Sequence, residues 1–173
     1  MTTEYLLAGF GGQGILFAGK FLAYAGLIED KQVSWMPSYG PEMRGGTANC
    51  SVIISDEAVG SPIVTNPDIL LAMNLPSLDK FEKAVKVGGT IYVDSSLISR
   101  KVERTDVKAV YIPATHIANE NGIPKLANII MMGKVMAAFN EKTVESALIK
   151  SVPEKHKDMV QVNMKAFLMG KSI

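Results

Sequence analysis

The chain has 173 residues, of which 47% are hydrophobic and 20% charged, values typical of one folded domain with a single core. Its formal net charge of +1 excludes a strongly basic surface, and we expect no nucleic-acid partner. The single cysteine, Cys50, excludes an internal disulfide framework and a self-contained iron–sulfur or cysteine-rich zinc site. We therefore expect no metal site on this chain.

The first part of the chain predicts a strand, a helix, a second strand and a long loop. Residues 5–9 form a short apolar run that predicts the first strand, and apolar residues recur with helical spacing from 14 to about 27. Residues 33–36 predict a short second strand. Residues 37–46, PSYGPEMRGG, contain two prolines and three glycines, and we expect a long loop there.

The middle of the chain predicts two more strands and a helix. Residues 47–55 alternate apolar and polar side chains, with Ile53 as the exception, which predicts a strand with one covered face. Residues 69–73 predict a buried strand, and residues 75–87 predict a helix that begins near Pro76.

The complete pattern predicts an α/β domain. Residues 90–94 and 109–112 predict the last of about six strands. Because strand-length runs alternate with helical stretches, we expect a Rossmann-like, mostly parallel sheet with flanking helices. A single domain is expected to cover residues 1–173.

The C-terminal third is predicted to be mainly helical. Thr115 is a candidate cap for a short helix, residues 125–139 predict a longer helix, and residues 141–169 are helical with a break at Pro153. Only three residues interrupt the apolar ones in residues 126–139, so this helix needs cover on nearly every side. We expect a neighbouring subunit to provide part of that cover; burial in the chain's own core is the alternative.

The sequence GFGGQG, residues 9–14, lies between the first predicted strand and the first predicted helix. Gly9, Gly11 and Gly14 match the G-x-G-x-x-G pattern of dinucleotide-binding turns in the structural context that the pattern requires. The pattern also needs an acidic residue at the end of the second strand, to bind ribose hydroxyls. That strand ends here in Met-Pro-Ser, residues 36–38, so the sequence disfavours NAD.

The same glycines are candidates for binding another anion. Gly9, Gly11, Gly12 and Gly14, with Gln13 among them, expose backbone N–H groups beside a helix start, where a phosphate or carboxylate is favoured. The alternative is that the glycines only permit a tight turn and close packing of the helix, without a ligand.

The predicted loop supplies a second group of candidate ligand-binding residues: Ser38, Tyr39, Gly40, Glu42, Arg44, Gly45 and Gly46. If the first two strands are neighbours, this loop stands beside the glycines, because loops at the carboxyl ends of adjacent strands converge. Arg44 could bind a phosphate or a partner's carboxylate, and Tyr39 could cover a ring or an interface. A solvated loop is the alternative.

No residue is predicted to be catalytic. Cys50 lies on the apolar side of a strand with no histidine near it in sequence, and we expect a packed thiol. His116 is expected to cap or pack, and His156 lies in a charged, solvated stretch. The N-terminal residues lack a basic leader and glycines interrupt their apolar run, so we expect a cytoplasmic protein with no membrane association.

Three segments carry a resemblance to a known family: LLAGFGGQGILFAGKFLAYAG, SYGPEMRGGTANCSVIISDEAVGSPIVTNPDILLAMN and PATHIANENGIPKLANIIMMGKVM. Over essentially its whole length the chain resembles the gamma subunit, or gamma domain, of the 2-oxoacid:ferredoxin oxidoreductases. The stretch GPEMRGG is far more specific than the glycines. The stretch YGPEMR looks closer to the 2-oxoglutarate and branched-chain 2-oxoacid types than to the pyruvate or indolepyruvate types.

The resemblance implies a subunit that is inactive alone. Such complexes decarboxylate a 2-oxoacid on thiamine diphosphate, pass electrons through [4Fe-4S] clusters to ferredoxin and release an acyl-CoA. The implied partners are alpha, beta and ferredoxin-like delta subunits, which carry the thiamine pocket and the clusters. This chain is then expected to contribute an assembly interface and to bind a phosphate of coenzyme A at residues 9–14. When isolated, it is expected to self-associate through otherwise buried surface, with the helix of residues 126–139 as one candidate.

Two other functions remain open from the sequence. A free-standing nucleotide- or flavin-binding reductase is supported only by the glycines of residues 9–14. A purely structural subunit would bind no ligand at all.

Overall fold

The structure is a computed structural model that describes residues 1–40 and 46–173 as one six-stranded sheet flanked by helices. The strands are β1 (Thr2–Phe10), β2 (Gln32–Tyr39), β3 (Thr47–Ser55), β4 (Ile69–Ala72), β5 (Thr90–Asp94) and β6 (Lys108–Ile112). The helices are α1 (Ile15–Ile28), α2 (Leu75–Phe81), α3 (Ala114–Glu120), α4 (Ala127–Val135), α5 (Glu141–Ser151) and α6 (Met159–Lys171).

The sheet is mostly parallel, as predicted. Its strand order is β2-β3-β1-β4-β5-β6, and β1, β4, β5 and β6 run parallel. Strand β3 is antiparallel to both of its neighbours, β1 and β2. The condition that the first two strands are neighbours is therefore not met, because β3 returns from β2 and lies between them.

Strand β2 is longer than predicted. It continues through Pro37 and Ser38 to Tyr39, with Pro37 opposite Cys50 and Tyr39 opposite Ala48, so the loop does not begin at residue 37. Because β2 is an edge strand, one side of its backbone has no partner strand, and proline is tolerated there. The amide of Gly40 donates to Thr47 O at 2.9 Å and extends the pairing. Three predicted ligand residues, Glu42, Arg44 and Gly45, lie outside the described residues.

Strand β3 has the predicted bounds but not the predicted single covered face. Ser51, Ile53 and Ser55 are buried, as is the opposite face. Both faces are covered, because α1 packs on one side and the segment around residues 58–63 lies beside Ile53 and Ser55 on the other.

The core has one part on each side of the sheet. The larger part contains apolar residues of α1, α3, α4, α5 and α6, and Phe21 of α1 meets Phe167 of α6 edge to face at 6.1 Å between ring centroids. The smaller part, on the other face, contains Leu78 of α2 with Leu70, Ile91 and Val93 of the strands.

Helix α4 is covered by its own chain, so the expectation of cover from a neighbouring subunit is wrong. Residues 127–133 are all buried, and α4 packs mainly on α6. Glycines allow the backbones to approach closely: a Cβ on Gly133 would lie 2.1 Å from Phe167 O, and one on Gly170 would lie 1.7 Å from Ile130 O. The helix ends at Val135, four residues before the predicted end.

Two other helical predictions need correction. Helix α2 ends at Phe81 and continues only as a 3-10 turn over residues 82–84, short of the predicted residue 87. Thr115 does not cap α3; its hydroxyl donates to Asp94 Oδ2 at 2.6 Å. The predicted break at Pro153 is present between α5 and α6.

Candidate functional site

Residues 9–14, here called the glycine turn, connect β1 to α1 at the carboxyl ends of the parallel strands. Gly12 and Gly14 have φ values of 95° and 73°, in the left-handed region that favours glycine. Gly14 is also the N-cap residue of α1.

Gln13 holds the glycine turn closed. Its side-chain Oε1 accepts from the backbone amide of Phe10 at 2.6 Å, and its backbone amide donates to Phe10 O at 3.2 Å. Its Nε2 donates to Met73 O, at the end of β4, at 2.9 Å. A Cβ on Gly9 would lie 2.5 Å from Gln13 Oε1, so Gly9 also serves this packing.

These contacts argue against a dinucleotide site of the Rossmann type. The chain leaves β1 toward β2 on one side and leaves β4 toward β5 on the other, so the switch point of the sheet lies between β1 and β4. The Gln13 side chain bridges that position. The end of β2 is two strands from β1, roughly 10 Å away, and it carries Ser38 and Tyr39 in place of the acidic residue that would bind a ribose.

Among the described residues, the first backbone amides of α1 have no hydrogen-bond acceptor. The first helical hydrogen bond runs from Ala18 N to Gly14 O at 3.0 Å, so the amides of residues 15–17 have no helical acceptor. The N-cap residue offers no side-chain cap, and the first turn contains no acidic residue. The helix dipole favours an anion at this position. The Gly11 amide is not available, because it donates to Gly46 O at 2.7 Å.

A cleft of about 280 Å³, here called the Tyr39 cleft, opens beside the glycine turn. It is lined by Phe10, Gly11, Gly12, Gly14, Ile15, Leu16, Phe17, Tyr39, Thr47 and Ala48. Tyr39 is 52% exposed. The structure thus brings Tyr39 to the glycine turn although β1 and β2 are not adjacent. The end of β1, the end of β2 and the start of β3 all lie at the same end of the sheet. Ser38, also exposed, is not among the lining residues.

A second cleft of about 410 Å³, here called the Asn128 cleft, shares Gly14 and Phe17 with the first. It is lined by Gly14, Phe17, Lys125, Leu126, Asn128, Ile129, Val152, His156, Met159 and Asn163. Asn128 is 4% exposed, and its Nδ2 donates to Gly14 O at 3.0 Å. Its Oδ1 is buried without a hydrogen-bond partner among the described residues. Sequence reasoning missed this residue, and the only signal was a polar side chain in an apolar helix.

The other candidates are structural or solvated. Cys50 is fully buried, burial raises the pKa of its thiol to about 12, and its Sγ donates to Ile15 O at 3.6 Å, so the packed thiol is confirmed. His116 lies 3.3 Å from Glu120 on an exposed helix face, and His156 is exposed. Residues 1–40 and 46–173 contain no group of three side chains suited to holding a metal ion.

None of the helices in the described residues has the length and apolarity of a membrane-crossing segment.

Residues 4–173 match the protein family described as pyruvate ferredoxin/flavodoxin oxidoreductase. The chain belongs to this family. The match spans almost the entire chain and confirms the resemblance found in the sequence.

Curated relatives in this family carry subunit names. The 2-oxoglutarate synthase subunit KorC of Methanocaldococcus jannaschii is 40% identical over 176 residues, 98% of this chain and 92% of that protein. The ketoisovalerate oxidoreductase subunit VorA of Methanothermobacter marburgensis is 40% identical over 168 residues, 95% of this chain. The chain spans only 35% of the length of VorA. A pyruvate/ketoisovalerate oxidoreductase common subunit gamma, from Thermococcus litoralis, is 29% identical over 151 residues.

Solved structures share the fold. The gamma subunit of a keto/oxoacid ferredoxin oxidoreductase from Geobacter sulfurreducens is 34% identical, with a TM-score of 0.81 over 98% of this chain and 96% of that one. The 2-oxoglutarate:ferredoxin oxidoreductase of Magnetococcus marinus is 24% identical, with a TM-score of 0.87 over 99% of this chain and 30% of that one. The predicted Rossmann-like α/β fold is thus the fold of this family.

Proposed function

We propose that this chain is the gamma subunit of a cytoplasmic 2-oxoacid:ferredoxin oxidoreductase, inactive alone, with alpha, beta and ferredoxin-like delta chains as partners. The observation that carries the proposal is the near full-length match to KorC, a named subunit of similar size. The acid oxidised is proposed to be 2-oxoglutarate or a branched-chain 2-oxoacid, because the identity to KorC and VorA exceeds that to the common subunit gamma.

The redox chemistry is assigned to the partner chains. A [4Fe-4S] cluster needs several cysteine thiolates, and the only cysteine here is buried Cys50, so the residues of this chain do not fit a cluster. Thiamine diphosphate is likewise assigned to the partners. Ferredoxin is proposed as the electron acceptor of the complex.

Within the complex, we assign to this chain a binding site for a phosphate of coenzyme A. The amides at the start of α1, which have no acceptor among the described residues, and the lack of an acidic residue in its first turn favour an anion. The adjoining Tyr39 cleft offers a largely apolar wall for the rest of the ligand. Gly12 lines this cleft, and a Cβ added to it would meet no atom of the described residues within 4 Å.

Gly12→Asp and Gly12→Asn form a matched pair that tests this site. Both side chains have the same size, both residues tolerate positive φ better than most, and the space around the Cβ position is open for either. Only the aspartate adds a negative charge, which at roughly 6 Å from a phosphate costs on the order of 1 kcal/mol. We expect the assembled complex with Gly12→Asp to show about a tenfold higher KM for CoA than Gly12→Asn, with equal KM values for the 2-oxoacid.

Equal KM values for CoA in the two variants would refute the coenzyme site. The glycine turn would then serve only the connection of strand to helix, and the chain would be the purely structural subunit. The bridging of the switch point by Gln13 disfavours the remaining alternative, a free-standing nucleotide-binding reductase.

The assembly interface is proposed to include an apolar groove between α1 and β2. The groove has a volume of about 290 Å³ and is lined by Lys20, Ala23, Tyr24, Leu27, Val33 and Trp35. Leu27 and Trp35 are exposed, and tryptophan is enriched among residues that dominate binding energy at interfaces. In longer relatives such as VorA, the part that matches this chain belongs to a longer polypeptide. A separate subunit has no such covalent link, so it must bind its partner chains through its surface.

Leu27→Asp tests the interface, with Val87→Asp as its control. Leu27 is 52% exposed and Val87, in the turn before β5, is 79% exposed, so neither aspartate should unfold the isolated chain. We expect Leu27→Asp to reduce recovery of the partner chains with the tagged subunit, and Val87→Asp to have no effect. Full recovery with Leu27→Asp would place the interface elsewhere.

A further inference from the structure

We infer that the outer edge of β2 binds a second copy of this chain, so that two sheets join through antiparallel β2 strands around a two-fold axis at Met36. The inference concerns the isolated chain and does not rest on the proposed function. The groove between α1 and β2 adjoins this edge, so the second copy occupies the surface when the partner chains are absent. Three observations support it: the backbone groups of the edge, its lack of charge and the residues that the symmetry pairs.

Along its outer side, β2 presents backbone groups that face no other strand of the part of the chain that the structure describes. It is the first strand in the sheet order. The amide of Gly40 donates to Thr47 O, directly opposite it, so every second residue back from Gly40 bonds to β3. The residues between these direct their backbone groups away from β3: Val33, Trp35, Pro37 and Tyr39. The missing N–H of the proline therefore takes no bond from the β2–β3 ladder.

The edge lacks the charged side chains that usually prevent strands from pairing. Exposed edges in soluble proteins commonly carry lysine or another charge, which discourages the addition of a further strand. Residues 32–39, QVSWMPSY, contain no charged residue, and Trp35, Met36 and Tyr39 are each at least 38% exposed. Pro37 removes a single donor from the outer side. Two copies can therefore meet at this edge without bringing like charges together.

The antiparallel pairing that uses the whole strand places the two-fold axis at Met36. In this register Val33 lies opposite Tyr39 of the second copy, and Trp35 lies opposite Pro37 of the second copy. Each copy then donates three hydrogen bonds, because the amides of Val33, Trp35 and Tyr39 each meet a carbonyl oxygen of the second strand. With the axis at Trp35 instead, Tyr39 would lie beyond the second β2 and its amide would meet no residue of that strand.

The same register brings matching side chains together on both faces of the sheet. A Cβ on Gly19 of α1 would lie 3.0 Å from Trp35 Nε1, so Trp35 lies on the face that α1 covers. Val33 lies on this face too and pairs with Tyr39 of the second copy, and such pairs of β-branched and aromatic residues stabilise adjacent strands. On the other face the two Met36 side chains meet at the axis, where Cα atoms are about 4.5 Å apart.

Charge substitutions at Met36 test the axis, because this residue is opposite only itself. Met36 is 38% exposed, so lysine or glutamate should leave the fold intact. In sedimentation velocity of the isolated wild-type chain, we expect a monomer–dimer equilibrium between about 1 μM and 1 mM, the range of weak interfaces. Met36→Lys and Met36→Glu should each weaken the dimer about tenfold or more, because like charges then face each other. An equimolar mixture of the two variants should recover a heterodimer.

Val87→Lys is the matched control for charge. Val87 is 79% exposed in the turn before β5, and three strands separate β5 from β2 in the sheet. This variant should dimerise as the wild type does.

Amide exchange measured by NMR separates strand addition from contact between side chains alone. At one concentration, the outward amides of Val33, Trp35 and Tyr39 should exchange about tenfold more slowly in wild type than in Met36→Lys. The amide of Ser34 bonds to β3 and should be protected equally in both. Equal exchange of the outward amides, in a wild-type chain that is dimeric, would contradict strand addition.

Three results in sedimentation would overturn the inference. A wild-type chain that stays monomeric over the whole range does not pair at this edge. A dimer that Met36→Lys leaves unchanged uses another surface, and a mixture of the two charge variants that stays monomeric refutes the axis at Met36. If the isolated wild-type chain is monomeric and Met36→Lys lowers recovery of the partner chains, the edge belongs to a partner chain, and the proposed function stands.

Discussion

Gly170→Ala is expected to destabilise the isolated chain, because α4 and α6 meet backbone to backbone at this position. The added Cβ would lie 1.7 Å from the carbonyl oxygen of Ile130 and 2.7 Å from its carbonyl carbon. Non-bonded heavy atoms of this kind need roughly 3.5 Å, so the two helices must move apart by on the order of 1–2 Å. Main-chain atoms cannot rotate aside as a side chain would.

The size of the effect follows from two opposing terms. Overpacking of a core costs up to about 3 kcal/mol, and the better helix propensity of alanine offsets about 1 kcal/mol of it. The net loss of about 2 kcal/mol corresponds to a fall in Tm of about 4–8 °C for a chain of this size. Far-UV circular dichroism of the purified single subunit during heating measures it. Gly60→Ala is the control, since no atom of residues 1–40 and 46–173 lies within 4 Å of its Cβ position.

An unchanged Tm in Gly170→Ala would refute the packing of α4 on α6 within one chain. If such a variant kept its Tm but failed to join its partner chains, a neighbouring subunit would cover α4 after all.

Three further predictions concern single side chains. Cys50 should not react with a thiol reagent at pH 8 until the chain unfolds, because its thiol is buried and its pKa is raised to about 12; labelling of the native chain would contradict its placement. Burial, with the charges of Tyr92 and Asp68, raises the pKa of Tyr5 from 10.0 to about 12, so the unfolded chain loses this proton first and stability should fall between about pH 10 and 12. Tyr5→Phe should make that fall shallower in denaturant titrations, and an identical pH profile would argue against the raised pKa. Arg44→Ala should lower assembly or raise the CoA requirement with little change in the Tm of the isolated subunit; a fall in Tm would indicate a buried structural role instead.

Local patterns in the sequence predicted most strands well. The alternation of residues 47–55 and the apolar run at residues 90–94 gave the bounds of β3 and β5. The sequence prediction ended β2 before Pro37, because a proline is excluded from interior strands. The strand continues past Pro37 because β2 lies at the edge of the sheet, where a proline is tolerated. Which strand forms the edge depends on pairing between distant segments, and a local pattern does not contain it.

A local pattern also could not show which surface covers α4, because that depends on contacts between distant segments. Its apolar residues showed that the helix is buried on nearly every side, and this is correct. The partner surface depends on Gly170, 40 residues after Ile130, whose missing side chain lets the backbones touch. A glycine in a C-terminal helix does not by itself indicate such a contact.

The candidate site was half predictable. The glycine turn is a local motif, and its left-handed residues Gly12 and Gly14 are where the pattern suggested. The contacts that shape it come from far along the chain, since Gln13 bonds to Met73, 60 residues away, and Asn128 bonds to Gly14, 114 residues away. Such partners are set by the tertiary fold.

The most direct test of the proposed function is to tag this chain in its native cells, purify it gently and assay what is recovered with it. We predict a complex with thiamine-binding and ferredoxin-like chains that reduces ferredoxin only when both CoA and a 2-oxoacid are present. It should oxidise 2-oxoglutarate or a branched-chain 2-oxoacid faster than pyruvate, while the chain expressed alone self-associates and shows no turnover. Recovery of the tagged chain without partners, or turnover by the single chain with a 2-oxoacid, CoA and a dye, would contradict its role as the gamma subunit.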